Sequence, residues 1–145
     1  VIPGSWSSTV GYRDYLLTLT RKFGLDDSVV MPGFIDEKDF HALFTLADVY
    51  LSLSEHEGFG VPLLEAMYFN IPVVAHGVCS IPEVLGQAGI TIKEKNPVAI
   101  VAVLKELFEN RQMRERVIEG QRLQLAEFSR EKIEPVIKRT LEPYL

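Results

Sequence analysis

Ser54-Glu55-His56-Glu57-Gly58-Phe59-Gly60-Val61-Pro62-Leu63-Leu64-Glu65-Ala66-Met67 is the stretch from which the fold is read. It follows a short apolar run and opens an amphipathic one. Gly58 and Gly60 permit close backbone approach and positive φ. Pro62 suits the first turn of a helix, where its missing N–H costs nothing. The free N–H groups of that turn and the positive end of the helix dipole suit an anion such as a phosphate. Glu57 and Glu65 flank the turn with seven residues between them. A carboxylate can accept hydrogen bonds from both hydroxyls of a vicinal diol, and ribose and hexoses both present one. An isolated pair of carboxylates is explained as simply by favourable charge at a helix start, and a lone Gly-x-Gly is equally unspecific. The string as a whole carries the argument further.

On either side, short β-branched runs alternate with longer amphipathic ones. Residues 28–32 (SVVMP), 48–52 (DVYLS) and 71–76 (IPVVAH) predict buried strands, 89–92 a weaker fourth, and 1–3 the tail of another. Helices are predicted over about 9–23, 37–46, 62–69 and 81–85. This alternation indicates βαβ units and a parallel sheet, with ligands beyond the carboxyl ends of its strands. From Asn96 onward the pattern is helical only. Asn96-Pro97 reads as an N-cap with proline at the first helical position. Ser129 is expected to cap a last helix carrying Ile133, Ile137 and Leu141. The basic residues there alternate with Glu, as on a solvated face.

The longer string EGFGVPLLEAM, following VYLSLSEH, resembles the E-x7-E segment of the family 4 retaining glycosyltransferases of GT-B fold. The flanking segments GLDDSVVMPGFIDEKDFHALFTLADVYLSLS and IPVVAHGVCSIPEVLGQAGI, and Val1-Ile2-Pro3-Gly4, resemble the C-terminal domain of that family too. The resemblance implies a Rossmann-like parallel sheet with helices on both faces and a helical C-terminal tail, one half of a GT-B fold. It makes residues 1–145 a single C-terminal domain, N-terminally truncated, with about 96–145 as its tail.

Roles follow from the resemblance position by position. Glu65 would hold the nucleotide ribose. Glu57 would act as the catalytic carboxylate, contacting donor-sugar hydroxyls and stabilising an oxocarbenium-like transition state. Gly58, Phe59 and Gly60 would line the sugar and phosphate pocket, and the N–H groups of Val61 and Leu63 would face the diphosphate. Gly33, Phe34 and Ile35 would receive the nucleobase, largely through the main chain, and His56 is a candidate sugar contact. The family's basic clamp on the diphosphate, an Arg and a nearby Lys, does not match Arg13, Arg21 or Lys22 and is expected upstream. The implied substrate is a nucleoside-diphosphate sugar, GDP-mannose or a UDP-sugar, with no cofactor and no metal. The implied partners are an N-terminal Rossmann-like domain and a glycan or lipid acceptor, with retention of anomeric configuration. The fragment alone is expected to be inactive and to self-associate.

Other positions have simpler readings. His41 is expected on an exposed helix face, and His76 at a strand end has no assigned role. Cys79 is expected to be a small packed residue rather than a nucleophile. Ser80 and Glu83 form the S-x-x-E pattern of a capping box. Cys79-Ser80 replaces the family's usual Gly-Gly, and Arg130 its usual Trp.

The totals bound the alternatives. A net charge of −5 argues against a nucleic-acid groove. The single cysteine excludes an internal disulfide and is compatible with a cytoplasmic parent peripheral to the membrane. No apolar run approaches the ~20 residues that span a bilayer. A stand-alone nucleotide-binding or interaction module, and a sugar-nucleotide epimerase on the same fold, are the competing readings.

Overall fold

The computed structural model describes residues 1–3 and 10–144. They fall into two compact units, 1–43 and 44–145. The turn expected at Gly4 and the helix start expected at Thr9 lie outside the described residues.

In the first unit, helix α1 (Val10–Lys22) ends at a tight turn in which Gly24 takes φ 63°. The strand expected at 28–32 reduces to an extended run. It is held by the Ile2 N–H donating to the Val30 carbonyl at 2.8 Å and by one parallel bridge, Pro3 to Gly33. The physical reason is a shortage of donors and partners. Pro3 and Pro32 have no N–H to give a ladder, and among the described residues only 1–3 pair with this run. Helix α2 (Glu37–Leu46) follows, its last three residues belonging to the second unit and its start capped by the Asp36 carboxylate accepting from the Asp39 N–H at 2.8 Å.

The second unit contains a parallel sheet of three strands in the order β1 (Tyr50–Ser52), β2 (Val73–His76), β3 (Ile90–Ile92). The register places Tyr50 beside Val73, and Val74 beside Ile90. Helix α3 (Val61–Tyr68) connects β1 to β2, and α4 (Ile81–Leu85) connects β2 to β3. Three helices complete the chain: α5 (Pro97–Glu109), α6 (Arg111–Ala126) and α7 (Arg130–Leu141), with a short 3-10 turn at Glu142–Tyr144. Each strand is shorter than its apolar run, because residues such as Asp48, Ile71 and Pro72 only lead into the ladder.

Alternation along the strands assigns two faces. Val74 and Ile92 form a core with Ile100 and Leu107 of α5, joined by half-buried Val49, Leu53 and Ile90. Tyr50 and Val73 point the other way. There the Tyr50 ring stacks on Phe44 with centroids 6.0 Å apart, and Phe44 on Phe69, just past α3, at 5.6 Å. The sheet therefore has helices on both faces, and the C-terminal third is helical, as the alternation predicts. Asn96 caps α5 as expected, its Oδ1 accepting from Val98 N–H at 2.9 Å and Ala99 N–H at 3.3 Å. Asn110 both ends α5 and caps α6, accepting from Met113 N–H at 3.0 Å. Ser129 occupies the N-cap of α7 in extended conformation, but its side chain makes no capping bond. Among the described residues, no helix is long and apolar enough to cross a membrane.

Candidate functional site

The loop from β1 to α3 runs beyond the carboxyl ends of the strands, where parallel sheets bind ligands. Gly60 makes the turn. Its φ of 85° and ψ of 43° are left-handed, and it is the N-cap of α3 with Pro62 in the first turn. A Cβ there would lie 3.2 Å from Leu63 Cδ1 and 3.4 Å from Ile81 Cδ1, so both conformation and space call for glycine. Gly58 is different: a Cβ at that position would meet nothing within 4 Å.

Neighbours hold most of the loop's side chains. Ser54 Oγ donates to the His56 carbonyl at 2.8 Å, and His76 Nδ1 lies 3.3 Å from the Ser54 carbonyl. Lys95 Nζ donates to Glu55 Oε1 at 2.9 Å. His56 Nδ1 is 3.8 Å from Cys79 Sγ. Phe59, half exposed, meets Phe128 edge to face with centroids 6.0 Å apart. Among the described residues, neither the Glu57 carboxylate nor the Glu65 carboxylate has a hydrogen bond or ion pair. Both carboxylates act electrostatically on Tyr50. Burial first, then the negative charges of Glu57 and Glu65, raise the Tyr50 pKa above its ordinary value, which keeps the phenol neutral and able to donate.

The backbone donors at the helix start are fewer than the spacing suggests. The Leu63 N–H already donates to the Gly60 carbonyl at 2.9 Å. The Val61 N–H has no backbone partner among the described residues. Gly33 (φ 82°), Phe34 (exposed) and Ile35 (half-buried) belong to the first unit. Tyr50, Lys95 and Gln121 were not foreseen. A tyrosine within an apolar strand is the one signal that could have pointed to the first.

Two expectations beside the loop are corrected. Cys79 is exposed, not packed, and has φ 52°, the conformation glycine usually supplies. Ser80 is then forced into the right-handed helical region, φ −77° and ψ −12°, instead of the extended conformation a capping serine needs. The capping box with Glu83 does not form, and the Ser80 Oγ is buried without a partner among the described residues. A left-handed non-glycine residue costs about 1–2 kcal/mol, and glycine returns part of that as chain entropy. Cys79→Gly is therefore expected to stabilise the protein by about 0.5–1 kcal/mol and Cys79→Val to destabilise it by about 1 kcal/mol. Thermal melting checks the order, and a valine variant that melts above the glycine variant would overturn the strain assignment. Among the described residues, no group of three or more His, Cys, Asp or Glu is placed to hold a metal ion.

Comparison with known proteins adds to this geometry. The O-antigen chain mannosyltransferase B of Escherichia coli is 33% identical over 109 residues, covering 72% of this chain and 29% of that protein. The serotype-specific mannosyltransferase WbdA of Escherichia coli is 38% identical over 72 residues, 49% of this chain and 9% of that protein. The chain thus spans less than a third of these curated relatives. Among solved structures, Anabaena Alr3699/HepE in complex with UDP and glucose superposes with a TM-score of 0.84 at 22% identity, over 97% of this chain and 39% of that one. The C-terminal domain of a glycosyl transferase group 1 family protein (LpcC) from Francisella tularensis gives 0.72 at 24% identity, over 83% of this chain and 63% of that one. These likenesses show the fold, the parallel α/β half of a GT-B architecture. Residues 1–124, which include the whole β1–α3 loop and both glutamates, match the family described as "Glycosyl transferases group 1", and the chain belongs to that family.

Proposed function

We propose that this chain is the donor-binding C-terminal domain of a retaining, family 4-type glycosyltransferase. It would span residues 1–145, with 96–145 as its helical tail. The enzyme would move a hexose from a nucleoside diphosphate to a glycan or lipid acceptor. The observation that carries the reading is the pair Glu57 and Glu65. Glu57 lies on the loop beyond the carboxyl end of β1 and Glu65 on α3, on either side of a left-handed glycine that opens the helix, and neither carboxylate has a hydrogen bond or ion pair among the described residues.

In this reading Glu65, fixed on α3, accepts from the two ribose hydroxyls. Glu57, on the loop, accepts from donor-sugar hydroxyls and opposes the positive charge that develops at the anomeric carbon. The Val61 N–H and the dipole of α3 face the diphosphate, and the backbone of Gly58, Phe59 and Gly60 lines the pocket. Leu63 contributes its N–H only if its bond to Gly60 opens. Gly33, Phe34 and Ile35 receive the base, and His56, held near Cys79, borders the sugar. GDP-mannose is the favoured donor, supported by the two mannosyltransferase relatives. A UDP-sugar is the alternative, supported by the UDP-bound neighbour. No cofactor is required. The N-terminal domain and acceptor complete the cleft, and the setting is the cytoplasm at the membrane surface. The separate 145 residues, with one wall of a two-walled cleft, would not transfer sugar and would self-associate.

The test is calorimetric titration of the complete protein with GDP, UDP and ADP, with a radiolabelled transfer assay of the separate 145 residues alongside. Tight binding of one diphosphate and no transfer by the separate chain is the expected result. Absence of binding by all three nucleotides would overturn the donor reading, and transfer by the separate chain would overturn the two-wall argument.

A further inference from the structure

We infer that the ion pair between Glu55 and Lys95 is a positioning device that sets the loop carrying Glu57, and that Lys95 is therefore a positioning residue for transfer. The inference rests on the reading of Glu57 given above. Glu55 lies in the loop after β1, and Lys95 in the loop after β3. The two strands flank β2, so the pair spans the carboxyl end of the whole sheet, a distance of two strand spacings or about 10 Å. His76, at the end of β2, lies between them and adds a smaller favourable interaction with Glu55.

The lysine is the fixed end of this bridge. It is directly followed by Asn96, which caps α5 through two N–H groups and whose own N–H donates to the Glu94 carbonyl at 2.8 Å. Its side chain is 30% exposed, whereas that of Glu55 is 83% exposed. The carboxylate is therefore drawn to the lysine and not the reverse. The hydrogen bond from Lys95, and then its charge, hold the Glu55 carboxyl below its ordinary pKa.

This is the one ionic tether of the loop among the described residues. The others are looser: 3.3 Å at His76, 3.8 Å at Cys79, and an aromatic contact at Phe59. Of the side chains at 54–57, that of Glu57 alone has no described bond, and its direction is set by what holds its neighbours. An exposed ion pair contributes little to global stability. Its consequence here is geometric, because small displacements of a reacting group have large effects on rate.

The experiment uses the complete protein and the donor that supports turnover. Lys95→Met is expected to lower kcat about three- to five-fold, leave KM for the donor within about two-fold, and leave the melting temperature unchanged. Lys95→Arg retains activity, and the exchange Glu55→Lys with Lys95→Glu recovers most of the loss. Wild-type kcat in Lys95→Met, a matching fall in melting temperature, or an exchange no better than the single variants would each overturn the inference. Glu57→Gln runs in parallel. If it loses turnover while Lys95→Met does not, the positioning role fails and the role of Glu57 stands. If Glu57→Gln turns over normally, the reading of Glu57 fails and the inference falls with it.

Discussion

Glu65→Ala in the complete protein should bind nucleoside diphosphate about ten- to one-hundred-fold more weakly, since a hydrogen bond to a charged group is worth about 1.5–3 kcal/mol. The fold should not suffer. Glu65 is half-buried on α3 and its carboxylate holds no described hydrogen bond or ion pair, so truncating the side chain leaves no orphaned partner. The melting temperature should stay within about 2 °C of wild type, as for substitutions that break no packing or network. Glu57→Ala should show the opposite split. Its proposed partner is the sugar, so nucleotide affinity should hold while turnover falls by about 10²-fold, the size seen when one preorganised electrostatic group is removed. Titration calorimetry with the preferred diphosphate, beside steady-state kinetics, separates the two. Equal binding by wild type and Glu65→Ala would remove the ribose assignment. A loss of nucleotide affinity in Glu57→Ala as large as the loss of turnover would remove the assignment of Glu57 to the transition state.

How far these features were legible in the sequence depends on how local their causes are. The strands at 50–52, 73–76 and 90–92 were readable because β-branched runs between turn residues have one cheap solution, a buried strand. The cap at Asn96 was readable because Asn-Pro fixes both the side-chain acceptor and the helical φ. Gly60 was readable from the turn it had to make. What failed depended on residues elsewhere. The run at 28–32 has strand composition but only a bridge, since ladder formation is decided by the neighbour. Ser80 has the capping pattern, but Cys79 enters the turn with positive φ and sets Ser80 in a conformation that cannot cap. Lys95 and Glu55 are forty positions apart, and no local spacing announces such a pair. Gln121 was hidden for another reason. It sits among Arg and Glu residues on a helix that reads as solvated, and only the arrival of β2 beneath it turns one polar side chain inward.

That side chain carries the largest expected effect on stability. Gln121 is fully buried, with its Oε1 accepting from the Val73 N–H at 2.8 Å and its Nε2 donating to the Ile71 carbonyl at 2.7 Å. The need arises from the entry to the central strand. Asn70 takes φ 58° as the chain leaves α3, and Pro72 has no N–H. On one side the Pro72 carbonyl accepts from Tyr50, but pairing with β3 begins only at Val74. Ile71 and Val73 are buried before their third neighbour exists, and the amide of Gln121 supplies the missing donor and acceptor as a strand would. Gln121→Leu keeps the volume but leaves both groups unpaired. At about 1–3 kcal/mol for each unsatisfied group, the variant should lose about 2–6 kcal/mol. For a domain of this size that is a fall in melting temperature of roughly 5–15 °C. Gln121→Glu refines the test. Its carboxylate can still accept from Val73, but only the protonated form can donate to Ile71, and burial favours that form. A carboxyl whose folded pKa is raised gives its stabilisation below the unfolded pKa and loses it as pH rises through the folded one. The glutamate variant should therefore approach wild-type stability at about pH 4–5 and fall away towards pH 8, while the leucine variant should stay low throughout. Urea unfolding of the three proteins across that range reads the difference. A leucine variant as stable as wild type would mean that the two backbone groups have another partner, and that Gln121 does not hold the entry to β2.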